Sequence, residues 1–380
     1  MPRLRSSALL LAAVAVLAAR ADSPRLASID RLVEAEMAEL RVPGMAVAVV
    51  RDGEVVHLGV YGLANLEWDA PVTASTAFQI ASVTKLFTST LVMRFIEQER
   101  IRLDDPVVRH LPDAPERWKD VSIAHLLSHQ SGIPWPPSIG GFLGTGPGGT
   151  EGAVTQERIY EEMRAGDLAF RPGEKEDYLK GDAFVLQMVL EKVGGRPITE
   201  VFAAELFAPM GLSGTGFDDE VRRFPAQVMK PLRHRSQLFT RGKGGPLLFK
   251  NYYNPASYCS GGLYTTIEDA IRWAVALDMG TFVRPATVAQ LARRTPLDGS
   301  FTALGWNRQV MGGREAFGHS GGPGLGDVLR FPEEKLTIIV LSNYADMYPY
   351  MAAAVARLFF PEIVAPAGPK TLERGFDRGR

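Results

Sequence analysis

Cysteine is nearly absent from this chain of 380 residues, and Cys259 is its one thiol. A single cysteine excludes an intramolecular disulfide and any zinc site built from cysteine pairs. Neither sign of charge dominates, because 42 Lys and Arg residues are balanced by 43 Asp and Glu residues. A chain so balanced lacks the electrostatic attraction to phosphate on which nucleic-acid binding depends, so we expect no nucleic-acid partner.

Long uncharged apolar runs are also scarce, and none after the N-terminal segment reaches transmembrane length. The apolar run 8–19 follows Arg3 and Arg5, and it is too short to span a bilayer but typical of a signal-peptide core. Small residues before Asp22 favour cleavage at that point. We therefore predict a signal peptide over residues 1–21, export to the periplasm or the medium, and no membrane span after its removal. An uncleaved anchor is the alternative.

The apolar pattern of the remaining chain alternates between helical and β periods. A helical period comes first, two β-rich runs around Asp52-Gly53 form a hairpin signature, and a long block from Phe78 is mostly helical. Three more strands and a closing helix follow. The predicted elements are a helix over Ile29–Leu40, strands over Met45–Val50, Val55–Tyr61, Gly305–Val310, Asp327–Phe331 and Leu336–Leu341, and a helix over Tyr348–Phe360.

An isolated hairpin is too small to be stable, so the early hairpin is expected to join the late strands in one sheet. The sequence thus predicts an α+β fold, in which an antiparallel sheet flanked by helices carries a large, mostly helical insertion. A cleft is expected where the two parts meet. The predicted units are the signal peptide 1–21, a discontinuous α/β sheet domain of 22–77 plus 265–364, a helical domain of 78–264, and a flexible tail of 365–380.

Ser82 and Lys85 form a Ser-x-x-Lys motif that opens a predicted helix over Leu86–Gln98. At positions i and i+3 the two side chains lie on one helix face, within reach of each other. A serine hydroxyl becomes nucleophilic when a base takes its proton, which a desolvated lysine amine can do. The alternative is a serine at a helix start beside a solvated lysine. Tyr178 joins this chemistry as an acid or base only if the fold brings it against both groups.

Three other motifs lack the context that their chemistry requires. Gly318–Gly322 fits Gly-x-Ser-x-Gly, but a turn follows it and no histidine lies downstream, so it is not a nucleophile elbow. Residues 144–149 fit Gly-x-Gly-x-x-Gly without a strand before them or a helix after them, which predicts a surface loop within 134–149. His125 and His129 have metal-compatible spacing but no third ligand, so we predict hydrogen-bonded histidines, no metal and no cofactor.

Segments distributed along the chain carry a family resemblance. Their order and spacing resemble the serine β-lactamase and penicillin-binding-protein superfamily, specifically its class C β-lactamase-like branch. The resemblance runs from about Gly44 to Asn343, and it implies the same discontinuous α/β domain with a helical insertion. The matching segments are Phe78–Lys85, His125–Gly132, Phe170–Glu174, Gly261–Tyr264 and Gly318–Gly322.

The resemblance also implies a role for each residue of the catalytic centre. Ser82 is the acylated nucleophile and Lys85 is its activating partner. Tyr178 fills the tyrosine position of the second motif, as the general base for acylation and the acid for the leaving group. The backbone amides of Ser82 and Gly322 form the oxyanion hole, an arrangement typically worth a few kcal/mol in the transition state.

Two residues depart from the family pattern at the substrate-binding positions. His319, Ser320 and Gly321 occupy the third motif, on the edge strand of the cleft, where true β-lactamases have Lys-Thr-Gly. Histidine replaces a fixed cation with a group expected to titrate near pH 6.5. Lys180 replaces the asparagine of the second motif, where it either holds a substrate carboxylate or points to solvent. The histidine form is more similar to esterases and D-amino-acid peptidases of the branch.

The expected function is that of an exported serine hydrolase that forms an acyl-enzyme on a small ester or amide. Its partner is a small-molecule, short-peptide or ester substrate, and an esterase or a D-amino-acid peptidase fits best. A true β-lactamase or D,D-carboxypeptidase is the alternative among enzymes. A non-catalytic protein that binds peptidoglycan fragments is the alternative of another class. The sequence makes no prediction of oligomeric state.

Overall fold

A computed structural model describes residues 24–134, 155–178, 180–217, 221–223, 226–228, 231–249, 253, 255–322, 324–364 and 369–371. The predicted signal peptide, the 144–149 motif and most of the predicted tail lie outside these residues. The division into domains made above stays a prediction.

The described residues form strands and α-helices, joined in places by short 3₁₀ or π turns. The strands are β1 (Gly44–Arg51), β2 (Glu54–Asn65), β3 (Ala70–Pro71), β4 (Phe78–Gln79), β5 (Val221–Arg223), β6 (Ala226–Val228), β7 (Leu238–Gly242), β8 (Gly245–Phe249), β9 (Tyr264–Thr265), β10 (Asn307–Met311), β11 (Arg314–Gly321), β12 (Gly326–Phe331) and β13 (Leu336–Ser342). The helices are α1 (Pro24–Leu40), α2 (Thr84–Glu97), α3 (Val107–His110), α4 (Ile123–Leu127), α5 (Gln156–Ala165), α6 (Lys180–Gly194), α7 (Ile198–Phe202), α8 (Ala208–Met210), α9 (Ile267–Met279), α10 (Pro285–Val288) and α11 (Met351–Phe359).

The main sheet has seven antiparallel strands in the order β10–β11–β12–β13–β1–β2–β3. The N-terminal hairpin enters it through β1, which pairs with β13 so that Val47 lies opposite Val340. The hairpin turn has positive φ at Asp52 (53°) and Gly53 (76°), the backbone that a two-residue turn between twisted strands requires. The expected union of early and late strands and the predicted α+β fold are confirmed.

Both faces of the sheet are covered, and the sequence of β1 shows why. Its residues are apolar at almost every position because alternate side chains enter two different cores. Met45, Val47 and Val49 pack towards α1 and α11. Ala46 and its alternate neighbours pack towards α2 and α9. The apolar stripe predicted on the first helix lies in the former core, where Ile29 and Val33 of α1 are fully buried.

The inserted block begins and ends at adjacent strands. Strand β4 pairs with β9, with Phe78 opposite Thr265, so the chain leaves and re-enters the sheet region at one place. Between these strands the block is mostly helical, as expected, but it also holds the hairpins β5–β6 and β7–β8. This closure places the turn that follows β4 beside the end of β11.

Strand β11 is absent from the pattern-based prediction, which found β10, β12 and β13. Its C-terminal half is rich in glycine, which weakens the strand signal. The resemblance placed the third motif on the edge strand, but β11 is second in the sheet, because β10 pairs with it up to Gly318, opposite Asn307. Residues His319–Gly321 lie beyond the last β10–β11 pair. Along these residues only, the edge of β11 is not paired with β10.

We predict that Trp306→Ala destabilises the chain by about 3–5 kcal/mol, since it leaves a large cavity. Trp306 is fully buried, its ring lies 5.9 Å from that of Trp273, and its Nε1 donates to Ser89 Oγ at 3.0 Å. The measurement is the urea midpoint at an unchanged m value. As a control, Trp68→Ala removes a side chain that is 83% exposed and should change stability by less than about 0.5 kcal/mol. Equal effects of the two substitutions would contradict this account of the core.

Candidate active site

Ser82 lies in a tight turn between β4 and α2. The turn Ala81–Val83 is a 3₁₀ helix, and Thr84 Oγ1 closes it by donating to Ala81 O at 2.6 Å. Ala81 has φ of 45°, a strained backbone for a residue with a side chain, of the kind that gathers at functional sites. Because Ser82 belongs to the first turn, its amide has no acceptor within the helix. The turn therefore presents both the hydroxyl and the N–H of Ser82.

Lys85 is held against Ser82 from inside the helical block. Its side chain is buried, and its Nζ donates to Ser82 Oγ at 3.2 Å and to Ser260 O at 2.8 Å. The carbonyl of Ser260, just before the matching segment Gly261–Tyr264, fixes the position of the amine. The i, i+3 spacing thus brings the serine and lysine together as the sequence predicts.

Tyr178 completes the cluster from a separate segment of the block. Its Oη donates to Ser82 Oγ at 3.0 Å, and its ring centroid lies 4.9 Å from Lys85 Nζ. The phenol is 42% exposed, so it also faces a ligand that enters from solvent. The ring stacks on Phe301 at a centroid distance of 5.7 Å. One serine oxygen therefore contacts both of its predicted partners.

A buried hydrogen-bonded group lies behind Tyr178. The His129 ring lies 4.5 Å from the Tyr178 ring, and His129 Nδ1 lies 3.3 Å from Asp182 Oδ2. Ser131 Oγ donates to Asp182 Oδ1, and burial raises the pKa of Asp182 well above its usual range. Asp177, next to Tyr178, donates its N–H to His129 O at 2.9 Å. These contacts tie the position of the phenol to the segment 125–132.

His125 and His129 do not share a helix face. Helix α4 ends at Leu127, and His129 has φ of 59°, so it leaves the helical path. His125 Nδ1 instead accepts from the Ser122 N–H at 3.2 Å. Sequence reasoning predicted a hydrogen-bonded rather than a metal-binding His129, but it missed the contact of this ring with Tyr178. Among the residues that the structure describes, no group of three His, Cys, Asp or Glu could hold a metal ion.

The end of β11 closes the other side of the site. A Cβ on Gly321 would lie 2.1 Å from Ile80 O, so only glycine allows the strand to approach the turn that carries Ser82. Gly322 follows the last pair of the β11–β12 ladder, Gly321 with Gly326, and lines the cleft with Ser82. The two residues predicted to form an oxyanion hole therefore face one space.

His319 does not carry the charge that was expected of it. Burial and the nearby Lys85 ammonium lower the pKa of His319 to about 3, so the expected titration near pH 6.5 is wrong. Its Nδ1 donates to Ser320 O at 2.7 Å, which fixes the neutral tautomer with Nε2 unprotonated. Within the described part of the chain, this buried Nε2 has no hydrogen-bond partner. The third motif thus supplies no cation at neutral pH.

A cleft of about 350 Å³ contains these groups, a volume suited to a small molecule. One wall is aromatic, and the other is formed by polar residues, of which the sequence motifs indicated only Ser320. Lys180 begins α6, but its side chain is outside the described residues, so its predicted role stays a prediction. The lining residues are Ser82, Tyr178, Phe301, Asn307, Gln309, His319, Ser320, Gly322, Asp327, Val328 and Pro349.

Comparison with known proteins agrees with this geometry. The profile of the family described as Beta-lactamase matches residues 29–359. Esterase EstB of Burkholderia gladioli is 30% identical over 72% of this chain and 75% of its own length. The D-aminopeptidase of Gluconobacter oxydans is 27% identical over 84% of this chain and 59% of its own length. The octameric penicillin-binding protein homologue from Pyrococcus abyssi superposes with a TM-score of 0.73 at 25% identity, over 88% of this chain and 77% of that one.

Fold and site together define a serine hydrolase of the serine β-lactamase and penicillin-binding-protein superfamily. The chain belongs to the beta-lactamase family, which confirms the resemblance seen in its motifs. No helix within the described ranges is long and apolar enough to cross a membrane.

We predict that Tyr178→Phe lowers kcat by a factor of about 100 to 10,000, because it removes the hydroxyl that exchanges a proton with Ser82. The ring and its stacking on Phe301 remain, so KM should change little. The measurement is steady-state hydrolysis of a nitrophenyl ester. The control is Tyr160→Phe, which removes a hydroxyl bonded to Asp113 away from the cleft and should leave kcat unchanged. A Tyr178→Phe enzyme with more than about a tenth of wild-type kcat would contradict the assignment.

We also predict that the charge of His319 has no influence near neutral pH. With its pKa at about 3, the ring stays neutral between pH 5.5 and 7.5, so KM for a carboxylate-bearing ester should stay level across that range, relative to a neutral ester. His319→Lys introduces a cation and should lower this relative KM about five- to tenfold. A wild-type relative KM that rises with pH through 6.5 would show that the ring is protonated below that value.

Proposed function

We propose that the protein is an exported serine hydrolase of the class C β-lactamase-like branch that cleaves small esters or amides through an acyl-enzyme. The observation that carries the proposal is the contact of Ser82 Oγ with both Lys85 Nζ (3.2 Å) and Tyr178 Oη (3.0 Å). A protein that only binds peptidoglycan fragments has no need of a hydroxyl placed between an amine and a phenol. The export part of the proposal rests on the N-terminal segment 1–21.

Acylation begins when Ser82 Oγ attacks the substrate carbonyl carbon. Tyr178 acts as the base in its phenolate form beside the Lys85 ammonium, and its oxygen, which faces both Ser82 and the open cleft, takes the serine proton. The carbonyl oxygen becomes an oxyanion and is stabilised by the N–H groups of Ser82 and Gly322. Collapse of this intermediate breaks the bond to the leaving group, which receives the proton from Tyr178. The acyl group remains on Ser82 as an ester.

Deacylation repeats these steps with water. Tyr178 takes a proton from a water molecule, whose oxygen attacks the acyl carbon, and the proton returns to Ser82 Oγ as the acyl ester breaks. Lys85 keeps the phenol and the serine in one hydrogen-bonded group throughout, because Ser260 O holds its amine in place. Every group in this sequence belongs to the chain, the substrate or water.

The charge of the cleft favours neutral or cationic substrates over β-lactams and D,D-peptides, which carry a carboxylate. None of the described residues that line the cleft is Arg or Lys, and Lys85 lies behind Ser82. His319 is neutral, since its pKa is about 3. The lining includes one carboxyl group, on Asp327. Similarity to an esterase and to a D-aminopeptidase supports the same preference.

The nucleophile is tested by labelling the protein with a fluorophosphonate and locating the adduct by mass spectrometry. We expect a single adduct on Ser82, abolished in Ser82→Ala and retained in the matched control Ser320→Ala. Ser320 also lines the cleft but is not the hydroxyl that contacts Lys85 and Tyr178, so the control separates reactivity from exposure. An adduct on Ser320 would refute the assignment, and a protein that never reacts would favour the binding protein.

The substrate class is tested by comparing turnover of a short-chain nitrophenyl ester with that of a chromogenic cephalosporin. Without a cation for the cephalosporin carboxylate, we expect kcat/KM for the ester to be higher by about two orders of magnitude or more. Assays of Ser82→Ala give the background for both substrates. Faster hydrolysis of the cephalosporin would instead identify a true β-lactamase.

A further inference from the structure

Four polar side chains share one face of the sheet at the end of β11. Asn307 pairs with Gly318, and Ser320, two residues further along β11, projects from the same face. Asp327 lies directly opposite Ser320 on the neighbouring strand, so it belongs to the same face of the sheet. Gln309 Nε2 donates to Asn307 Oδ1 at 3.1 Å. His319 projects from the opposite face, towards Tyr178. All four residues line the cleft that also contains Ser82. We name this group the polar wall.

Asp327 is the one residue of the polar wall that can carry a charge. Its Oδ2 accepts from the Ala352 N–H at 3.0 Å, in the first turn of α11. Within the described residues, Oδ1 has no hydrogen-bond partner, although the side chain is only 8% exposed. No cation of the described chain pairs with this carboxyl group. A buried carboxylate without a partner is costly, so such a group marks a place where a ligand completes the pairing.

We propose that the polar wall is a subsite for a primary ammonium group, with Asp327 Oδ1 as its anionic partner and Ser320, Asn307 and Gln309 as further acceptors. The inference rests on the proposed hydrolase function and names its substrates: esters or amides with a positively charged amino group near the scissile carbonyl. Neutral and anionic substrates would bind in the same cleft but leave Asp327 unpaired.

The proton affinity of Asp327 suits this role. Burial raises the pKa of Asp327 to about 7, although the Ala352 N–H opposes that shift. Without a ligand, the group is therefore protonated for much of the time near neutral pH. An arriving ammonium favours the ionised form, so the proton leaves and an ion pair forms inside the cleft. A substrate carboxylate instead favours the protonated form of Asp327 and forms no ion pair there, in agreement with the neutral His319.

A purely structural role would predict different behaviour. If Asp327 serves only to cap α11 through Ala352, then its replacement alters stability and acts equally on every ligand. Asp327→Asn keeps an oxygen acceptor for the Ala352 N–H and has nearly the same shape, so the fold should be retained. The substitution removes the negative charge, so only the binding of an ammonium ligand should weaken.

The experiment compares alanine 4-nitroanilide, in both enantiomers, with isobutyric 4-nitroanilide, in which a methyl group replaces the ammonium. Binding is measured by calorimetry at pH 7 in the Ser82→Ala background, so that no chemistry is required. We expect at least one alanine enantiomer to bind more tightly than the isobutyric compound. Asp327→Asn should then reduce this preference about tenfold, the loss of one partly buried ion pair.

Asp298→Asn is the matched control, since Asp298 is an exposed carboxylate that pairs with Arg294 outside the cleft. It should leave the preference for the ammonium ligand unchanged, and thermal unfolding verifies that each variant is folded. Equal binding of the ammonium and methyl ligands, or a preference that survives Asp327→Asn, overturns the inference.

The two hypotheses fail in distinguishable ways. If the ammonium preference in Ser82→Ala depends on Asp327 while the wild type hydrolyses nothing, then the subsite stands and the hydrolase function fails. If the wild type hydrolyses esters through Ser82 without any ammonium preference, then the function stands and the subsite is refuted.

Discussion

The site depends on one shared oxygen. Ser82 Oγ lies within hydrogen-bond distance of an amine and a phenol that belong to different elements, and it reacts only while both contacts hold. Lys85 lies in the first turn of α2, three residues after the serine, and is anchored by Ser260 O. Tyr178 comes from a segment almost a hundred residues later and is held by ring contacts with His129 and Phe301. Local spacing along the chain therefore places Lys85 beside Ser82, and tertiary packing places Tyr178 there.

Close backbone approaches hold these pieces in register. Gly321 allows β11 to meet Ile80, two residues before the nucleophile, and Gly132 allows the His129 segment to meet Phe170. A Cβ at Gly132 would lie 2.1 Å from Phe170 O, and its φ of 74° is one that glycine adopts without strain. Each contact joins two of the segments that match the family. The glycines of those motifs are thus explained by geometry as well as by chemistry.

Sequence reasoning succeeded where the chemistry is local and failed where it depends on packing. The Ser82–Lys85 pair follows from helical spacing, whereas Tyr178 required the family resemblance, because no local pattern shows what it faces. The charge of His319 was predicted wrongly, since its pKa is set by burial and by Lys85, neither visible in the motif. The polar wall was missed because Asp327 and Asn307 meet only through the register of three strands.

Strand β11 separates reactivity from selectivity. His319 points from one of its faces towards the Tyr178 ring, while Ser320 projects from the other face, opposite Asp327. A change on the polar wall alters which charge the cleft accepts, yet it leaves every contact of Ser82 in place. The neutral ring of His319 and the carboxyl group of Asp327 act in the same direction, since both disfavour an anionic substrate. The catalytic group is therefore compatible with a preference for anionic substrates and with a preference for neutral or cationic ones. The residues flanking the end of β11 determine which substrate charge is preferred.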